Sequence, residues 1–90
     1  MDARAQITVK GRVQGVGFRY FTLHEARKLG LTGTVKNLYN GDVKIQAEGD
    51  KSSIHALVKS LRVGPSMANV QDVIVDFEES KNEFTTFQIV

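Results

Sequence analysis

The chain has 90 residues, enough for one domain with a single modest core and too few for a separate cofactor domain. Apolar residues make up 41% and charged residues 24%, as in ordinary globular domains, and the lack of cysteine excludes a disulfide scaffold, a cysteine nucleophile and a thiolate metal site. The first residues do not resemble a signal peptide and no apolar run reaches membrane-spanning length, so we expect a cytoplasmic protein.

The first third of the chain has the pattern of a strand, a turn and a helix. Alternation with polar residues predicts a strand through Ile7, Val9, Gly11 and Val13. A glycine-rich turn follows at residues 14–17, and helical spacing then places on one face the residues Phe18, Phe21, Ala26 and Leu29. Gly30 supplies the helix stop, and Leu31 can pack back on the last turn.

The middle of the chain predicts a hairpin and a second helix. Val35 opens a strand, and the next strand contains Val43, Ile45 and Ala47. Between them Asn40 and Gly41 favour a tight turn, because both residue types take positive φ readily. The clearest helix carries Ile54, Leu57, Val58 and Leu61, with Asp50, Ser52 or Ser53 as its cap and with Gly64 and Pro65 as its end.

Two further strands complete the pattern. Alternation predicts a fourth strand at Val73, Val75 and Phe77 and a short last strand at Phe84, Phe87 and Ile89. The order predicts an α+β fold: a ferredoxin-like βαββαβ sandwich with a mostly antiparallel sheet of four to five strands and both helices on one face. We expect residues 1–90 to form a single domain of this kind.

The segment from Gly11 to Arg19 carries the chemical signal. Its three glycines can adopt φ values that other residues avoid, so that successive N–H groups can face one concavity and bind an anion. The helix start that follows adds free N–H groups, and Arg19 adds a planar cation suited to phosphate. The charge distribution agrees, since residues 1–36 carry a net charge of +5 and residues 37–90 a net charge of −3.

Each of these observations also has a plain alternative. A glycine-rich turn alone is a weak motif, and a tight turn without a ligand is about equally consistent with it. On charge alone, an ordinary solvated surface is the better interpretation. The segment does not match two nucleotide motifs, because Phe18 and Arg19 follow Gly17 in place of Lys-Ser/Thr and Tyr20 stands where the dinucleotide fingerprint has glycine.

Two blocks of the sequence resemble the signatures of the acylphosphatase family. Gly11 to Arg19 is similar to the first signature at every position, and Gly33 to Val43 resembles the second, with the spacing and the following Glu48-Gly49 in agreement. The resemblance covers essentially the whole chain. It departs at Thr34, where an aromatic residue is usual, and at Asn40, where aspartate is common.

The resemblance implies the hydrolysis of acyl phosphates without a metal or cofactor. Carried over to this chain, it implies that the amides of Gln14, Gly15, Val16, Gly17 and Phe18 bind the phosphoryl group together with Arg19. It also implies that Asn37 orients the attacking water; from the sequence alone, turn chemistry is the better explanation of Asn37. We expect inorganic phosphate and sulfate to compete with the substrate.

The main alternatives are an RNA-binding module and a regulatory module without catalysis. Residues 17–21 faintly resemble an aromatic RNA-binding motif, but that motif belongs on a central strand and this segment is expected to start a helix. We therefore expect a monomer without a nucleic-acid or membrane partner. Residues assigned to ordinary surface or packing positions are Arg12, His24, His55, Met67 and the acidic stretch from Asp72 to Glu83.

Overall fold

A computed structural model describes all residues from Met1 to Val90. Its elements, in chain order, are β1 (Asp2–Arg12), α1 (Phe18–Lys28), β2 (Thr32–Asn37), β3 (Val43–Asp50), α2 (Lys51–Val63), β4 (Asn69–Glu78) and β5 (Phe87–Ile89). The predicted element order and ferredoxin-like α+β class are confirmed, with the sheet at its larger predicted size of five strands. Neither helix is long and apolar enough to cross a membrane.

The strand order in the sheet is β4-β1-β3-β2-β5. β1 and β2 both pair antiparallel with β3, which lies between them. They therefore run in the same direction and end at the same edge of the sheet. Residues 13–17, which follow β1, and Asn37, which ends β2, are brought together in this way.

One face of the sheet is apolar and both helices pack on it. Alternate residues of the central strands are fully buried there, among them Ile7, Val35 and Ile45. Leu57 and Leu61 of α2 belong to the same core, and Phe21 of α1 and Leu29, which follows α1, pack against it half-buried. The predicted shared core is thus present.

The buried stripe of α1 contains a residue that was not predicted. Thr22 is fully buried between Phe18 and Ala26, and its hydroxyl donates a hydrogen bond of 2.9 Å to the carbonyl of Phe18. A bond to the preceding turn satisfies the polar group of a threonine, which lets it occupy an apolar face. Hydropathy alone does not place a threonine there.

The predicted helix ends agree with the structure. Gly30 has φ 71°, and the N–H of Leu31 donates to the carbonyl of Ala26 at 3.0 Å, as in a Schellman ending. Of the three candidate caps of α2, the structure selects Asp50, whose carboxylate accepts a hydrogen bond from the N–H of Ser52. Gly64 follows the last residue of α2.

Four local predictions were wrong. β2 begins at Thr32, before Val35, and Val13 lies beyond the end of β1 at Arg12. Asn40 does not take positive φ, because the hairpin has a three-residue loop in which only Gly41 does, with φ 99°. This loop is closed by hydrogen bonds between Leu38 and Asp42 and between Gly41 and Leu38. Phe84 lies outside β5, and its ring packs instead against the guanidinium of Arg4, 5.1 Å from the ring centroid.

A buried ion cluster, which the sequence analysis missed, lies at the edge of the sheet opposite to Asn37. Glu48, only 3% exposed, accepts hydrogen bonds from the backbone N–H groups of residues 81–83 and so holds the segment between β4 and β5. Nη1 of Arg4 lies 3.8 Å from Glu48 Oε2 and 3.3 Å from Glu83 Oε1. Burial alone would raise the pKa of Glu48, but these N–H donors and Arg4 outweigh it and hold the pKa below its ordinary value.

Candidate active site

The turn between β1 and α1, here called the glycine loop (residues 14–18), is the predicted anion site. Gly15 and Gly17 have φ 73° and 78°, whereas Val16 between them does not take positive φ. Alternation between left-handed and ordinary backbone turns successive N–H groups toward one side. The positive φ explains why glycine is needed at these two positions, since a Cβ there would meet no atom within 4 Å.

The N–H groups of the glycine loop and of the first turn of α1 have no acceptor within the protein. The first hydrogen bond of the helix runs from the N–H of Phe21 to the carbonyl of Gly17, at 3.0 Å. Gly17 is the N-cap and contributes no capping side chain. A row of backbone donors at the positive end of a helix is therefore open to a negatively charged ligand.

The side chains of Arg19 and Asn37 share a cavity of about 230 Å³ with part of this row of donors, and neither Gln14 nor Val16 belongs to the cavity lining. The cavity is lined by Val13, Gly15, Gly17, Phe18, Arg19, Tyr20 and Asn37. Arg19 is half-buried and its guanidinium forms no ion pair or hydrogen bond with another residue, in contrast to Arg4. An arginine that has no carboxylate partner beside free amides raises the positive potential of the cavity.

Asn37 reaches the cavity because of strand alternation. It has the same parity along β2 as the fully buried Val35, so both residues face the helices. Its Oδ1 atom is buried and has no hydrogen-bond partner. Buried polar atoms are almost always bonded, so an unsatisfied amide oxygen at the wall of a cavity suggests a role with a ligand or water.

The hairpin that carries Asn37 is tied to the glycine loop by a contact that the sequence analysis did not foresee. The Nε2 of Gln14 donates to the carbonyls of Leu38 and Asp42, at 2.7 and 2.9 Å. The only indication in the sequence was a glutamine inside a glycine-rich turn. Its hydrogen-bond partners are more than 20 residues away along the chain. The partners become visible only when the fold places β1 and β2 on either side of β3, so that both strands end at the same edge of the sheet.

The two departures from the family signatures have different surroundings. Asn40 braces the hairpin, since its Oδ1 accepts from the N–H of Asp42 and its Nδ2 donates to the carboxylate of Asp42. Thr34 pairs with Gln46 and Gln88 in the sheet and lines no part of the cavity with Asn37. Asparagine at position 40 is therefore compatible with an ordered loop.

The other charged and titratable residues considered in the sequence analysis lie outside this cavity. Arg12, His24 and His55 are exposed and line no cavity, as predicted. The acidic stretch from Asp72 to Glu83 is not wholly solvated, because Glu78 and Glu83 approach Arg4. No three His, Asp or Glu side chains are arranged to hold a metal ion.

A larger cavity, of about 310 Å³, lies at the opposite edge of the sheet. Its lining includes Glu48, Asp50 and Asp2, and its only apolar residue is Phe84. Glu48 is already bonded to backbone N–H groups and Asp50 caps α2. The carboxylates there serve the fold, so the smaller cavity is the better candidate for chemistry.

The surroundings of residues 17–21 do not match those of an RNA-binding aromatic motif. The segment begins α1, as predicted, and does not lie on a strand. Phe18 is 1% exposed and its ring packs at 5.9 Å from that of the half-buried Phe21, so the Phe18 ring is not free to stack on a base. Tyr20 is 71% exposed, but it lies on the helix and not on a strand.

The comparisons with known proteins agree on one family. The acylphosphatase family model matches residues 5–89. An acylphosphatase from Geobacter metallireducens is 48% identical, with 99% of this chain and 96% of that protein covered. The crystal structure of an acylphosphatase from Bacillus subtilis superimposes with a TM-score of 0.95 at 41% identity, over 100% of this chain and 99% of that one. An acylphosphatase structure from Coxiella burnetii gives a TM-score of 0.88 at 39% identity, over 99% and 93% of the two chains. This chain belongs to the acylphosphatase family.

Proposed function

We propose that the protein hydrolyses acyl phosphates to a carboxylate and inorganic phosphate. The observation that carries this proposal is the shared cavity, where Arg19 and the loop amides at Gly15, Gly17 and Phe18 belong to one lining with the side chain of Asn37. All three are hydrogen-bonding groups that the protein itself leaves unpartnered. The family membership supports the same reaction.

The phosphoryl group is bound by the glycine loop and Arg19. The N–H groups of Gln14, Gly15, Val16, Gly17 and Phe18 donate to its oxygens. The guanidinium of Arg19 neutralises charge in the substrate and more strongly in the transition state. Phosphoryl transfer depends mainly on such positioning and charge stabilisation.

Asn37 holds the attacking water. Its Oδ1 accepts a hydrogen bond from the water, whose oxygen attacks phosphorus. The bond between phosphorus and the acyl oxygen breaks, and its electron pair leaves with the carboxylate. A carboxylate is a good leaving group, so no general acid is required.

The proton of the water passes to the phosphate of the substrate. Arg19 stays protonated and cannot act as a base, and the amide of Asn37 has no useful acid–base equilibrium. The reaction needs no covalent intermediate and, in this proposal, no metal ion or cofactor. The protein supplies donors in fixed positions, and the substrate supplies the base.

The test is hydrolysis of acetyl phosphate with excess chelator present. We expect phosphate release at an undiminished rate, and no release from an alkyl phosphate ester of similar size, whose alkoxide is a poor leaving group. Loss of activity on chelation would contradict the metal-free reaction. Binding of phosphate without any hydrolysis of acetyl phosphate would instead identify a regulatory module.

A further inference from the structure

The side chain of Gln14 joins the two parts of the candidate site. Its Nε2 donates at 2.7 Å to the carbonyl of Leu38, the residue directly after Asn37, and at 2.9 Å to the carbonyl of Asp42. Leu38 and Asp42 form the neck of the hairpin, where the N–H of Leu38 also donates to the carbonyl of Asp42 at 2.8 Å. One amide group thus bonds both strands of the neck.

The hairpin neck is also closed by hydrogen bonds that do not involve Gln14. The buried carboxylate of Asp42 accepts from Nζ of Lys10 at 2.7 Å and from Nδ2 of Asn40 at 3.1 Å. Ladder pairing between Asn37 and Val43 continues directly below the neck. Gln14 is therefore not needed to close the hairpin, and its two bonds fix the distance from the hairpin to the glycine loop.

Asn37 depends on this distance because nothing else holds its side chain. Its Oδ1 has no partner in the protein, so its position follows from the backbone to which it is attached. That backbone is held on one side by the ladder with β3 and on the other by the bond of Gln14 to Leu38. A water on Asn37 must meet a phosphoryl group on the glycine loop, and Gln14 is attached to both.

We propose that the side chain of Gln14 is a positioning residue that sets the separation between the water site of Asn37 and the phosphoryl site of the glycine loop. This inference rests on the proposed function, in which the backbone amide of Gln14 donates to the phosphoryl group, and adds to it a second role for this residue. Displacement of a reacting group by about 1 Å can cost roughly 100-fold in rate. Loss of the Gln14 amide should therefore act on turnover through Asn37.

The test is a double-mutant cycle with acetyl phosphate. Gln14→Met keeps the length of the side chain and removes both donor bonds. We expect kcat to fall by about 10- to 100-fold, while the inhibition constant of inorganic phosphate changes by less than about threefold. In the Asn37→Ala background the same substitution should change kcat by less than about threefold, because its effect passes through Asn37.

The controls separate positioning from stability. Gln6→Met removes an amide that donates to Glu78 at 2.8 Å. Gln6 lies on β1, the strand that precedes the glycine loop, and does not line the cavity, so we expect an unchanged kcat. Circular dichroism must show that each variant folds. If Gln14→Met does not fold, Gln14→Asn keeps the polar group but is one methylene shorter, and the same cycle applies with it.

Two results would overturn the inference in different ways. An equal fall in kcat with and without Asn37, or a matching loss of phosphate affinity, would show that Gln14 does not act through Asn37. The proposed function would then stand. An Asn37→Ala variant with the kcat of the unmodified protein would contradict the water-holding role itself and the inference with it.

Discussion

Arg19 and Asn37 belong to different elements, the first turn of α1 and the last residue of β2, and line the same cavity. Neither side chain forms a hydrogen bond or an ion pair within the protein. Their unused hydrogen-bonding capacity is directed at one volume of about 230 Å³. In the proposed reaction one of them holds the phosphoryl group and the other the water, so the two should respond differently to substitution.

Removal of the arginine should affect both binding and turnover. In Arg19→Ala we expect a higher KM, weaker inhibition by phosphate and a kcat lower by ~10²–10³, because the guanidinium contacts the phosphoryl group before and during the reaction. Arg19→Lys should stay severely impaired, since an ammonium lacks the planar fork. Steady-state kinetics on acetyl phosphate measure these changes. Arg62→Ala, at the exposed end of α2, is the matched control and should behave as the unmodified protein.

Removal of the asparagine should affect turnover alone. In Asn37→Ala we expect kcat to fall by ~10²–10³ with little change in KM or in phosphate inhibition, because a misplaced water costs little in the ground state. The melting temperature should not fall, since the Oδ1 of Asn37 makes no internal hydrogen bond that could be lost. A higher KM at unchanged kcat would rule out the water-holding role.

The two loop glycines should be required for their backbone conformation. Gly17→Ala places a Cβ at φ 78°, where it meets no atom but costs about 1–2 kcal/mol of conformational energy. We expect lower stability and weaker phosphate binding, measured by denaturant unfolding and by inhibition. Gly30→Ala is the control, because Gly30 has φ 71° and equally open space but ends α1 away from the cavity. It should lose similar stability and keep its phosphate affinity.

Inorganic phosphate and sulfate should inhibit competitively. The donors of the glycine loop and Arg19 recognise any tetrahedral oxyanion, so the ions and the substrate exclude each other. Inhibition kinetics at several acetyl phosphate concentrations measure this effect. We expect phosphate to raise the apparent KM and to leave the maximal rate unchanged. A fall in the maximal rate with rising phosphate would place the ion at a different site.

Acid should destabilise the protein in part through Glu48. Its native pKa lies below the ordinary value of about 4.3, so the unfolded chain binds the proton more readily. The stabilising contribution is complete above about pH 4.3 and is lost as the pH falls through the lower native pKa. Glu48→Gln should lower the free energy of unfolding by about 2 kcal/mol at pH 7 and should flatten the acid side of the stability profile, measured by urea unfolding.

The matched control is Glu79→Gln, at an exposed position, which should change the free energy of unfolding by less than about 0.5 kcal/mol. An unchanged acid profile in Glu48→Gln would contradict this role.

Local pattern was sufficient for most of the fold. The periodicity of Ile54 to Leu61 and the stop at Gly30 depend on neighbours within a few residues, and both predictions were confirmed. Long-range polar contacts were not accessible in this way. The sequence gives no sign that Arg4 meets Glu48 and Glu83, because that contact follows from strand register and from the path of the segment after β4.

The part of the candidate site that could be predicted from the sequence is the glycine loop, because its backbone conformation depends on neighbouring residues. Glycine spacing indicated the anion cradle, and the family signature, rather than any local pattern, pointed to Asn37. The cavity that unites Asn37 with Arg19 depends on β1 and β2 running in parallel on either side of β3. The reach of Gln14 to the hairpin neck depends on the same arrangement.

The sheet order also has a consequence for the kinetics of folding. β1 leads into the glycine loop, and its outer neighbour is β4, in a register that pairs Arg4 with Glu78. Contacts between residues so distant in sequence require the closure of a long loop before they contribute any stability, and folding is slow when such contacts dominate. The helices and the β2–β3 hairpin can form early from near neighbours, but the strand that carries the glycine loop is fixed only when the late pairings are made. Affinity for phosphate should therefore appear together with the final cooperative step and be absent from any partly folded chain.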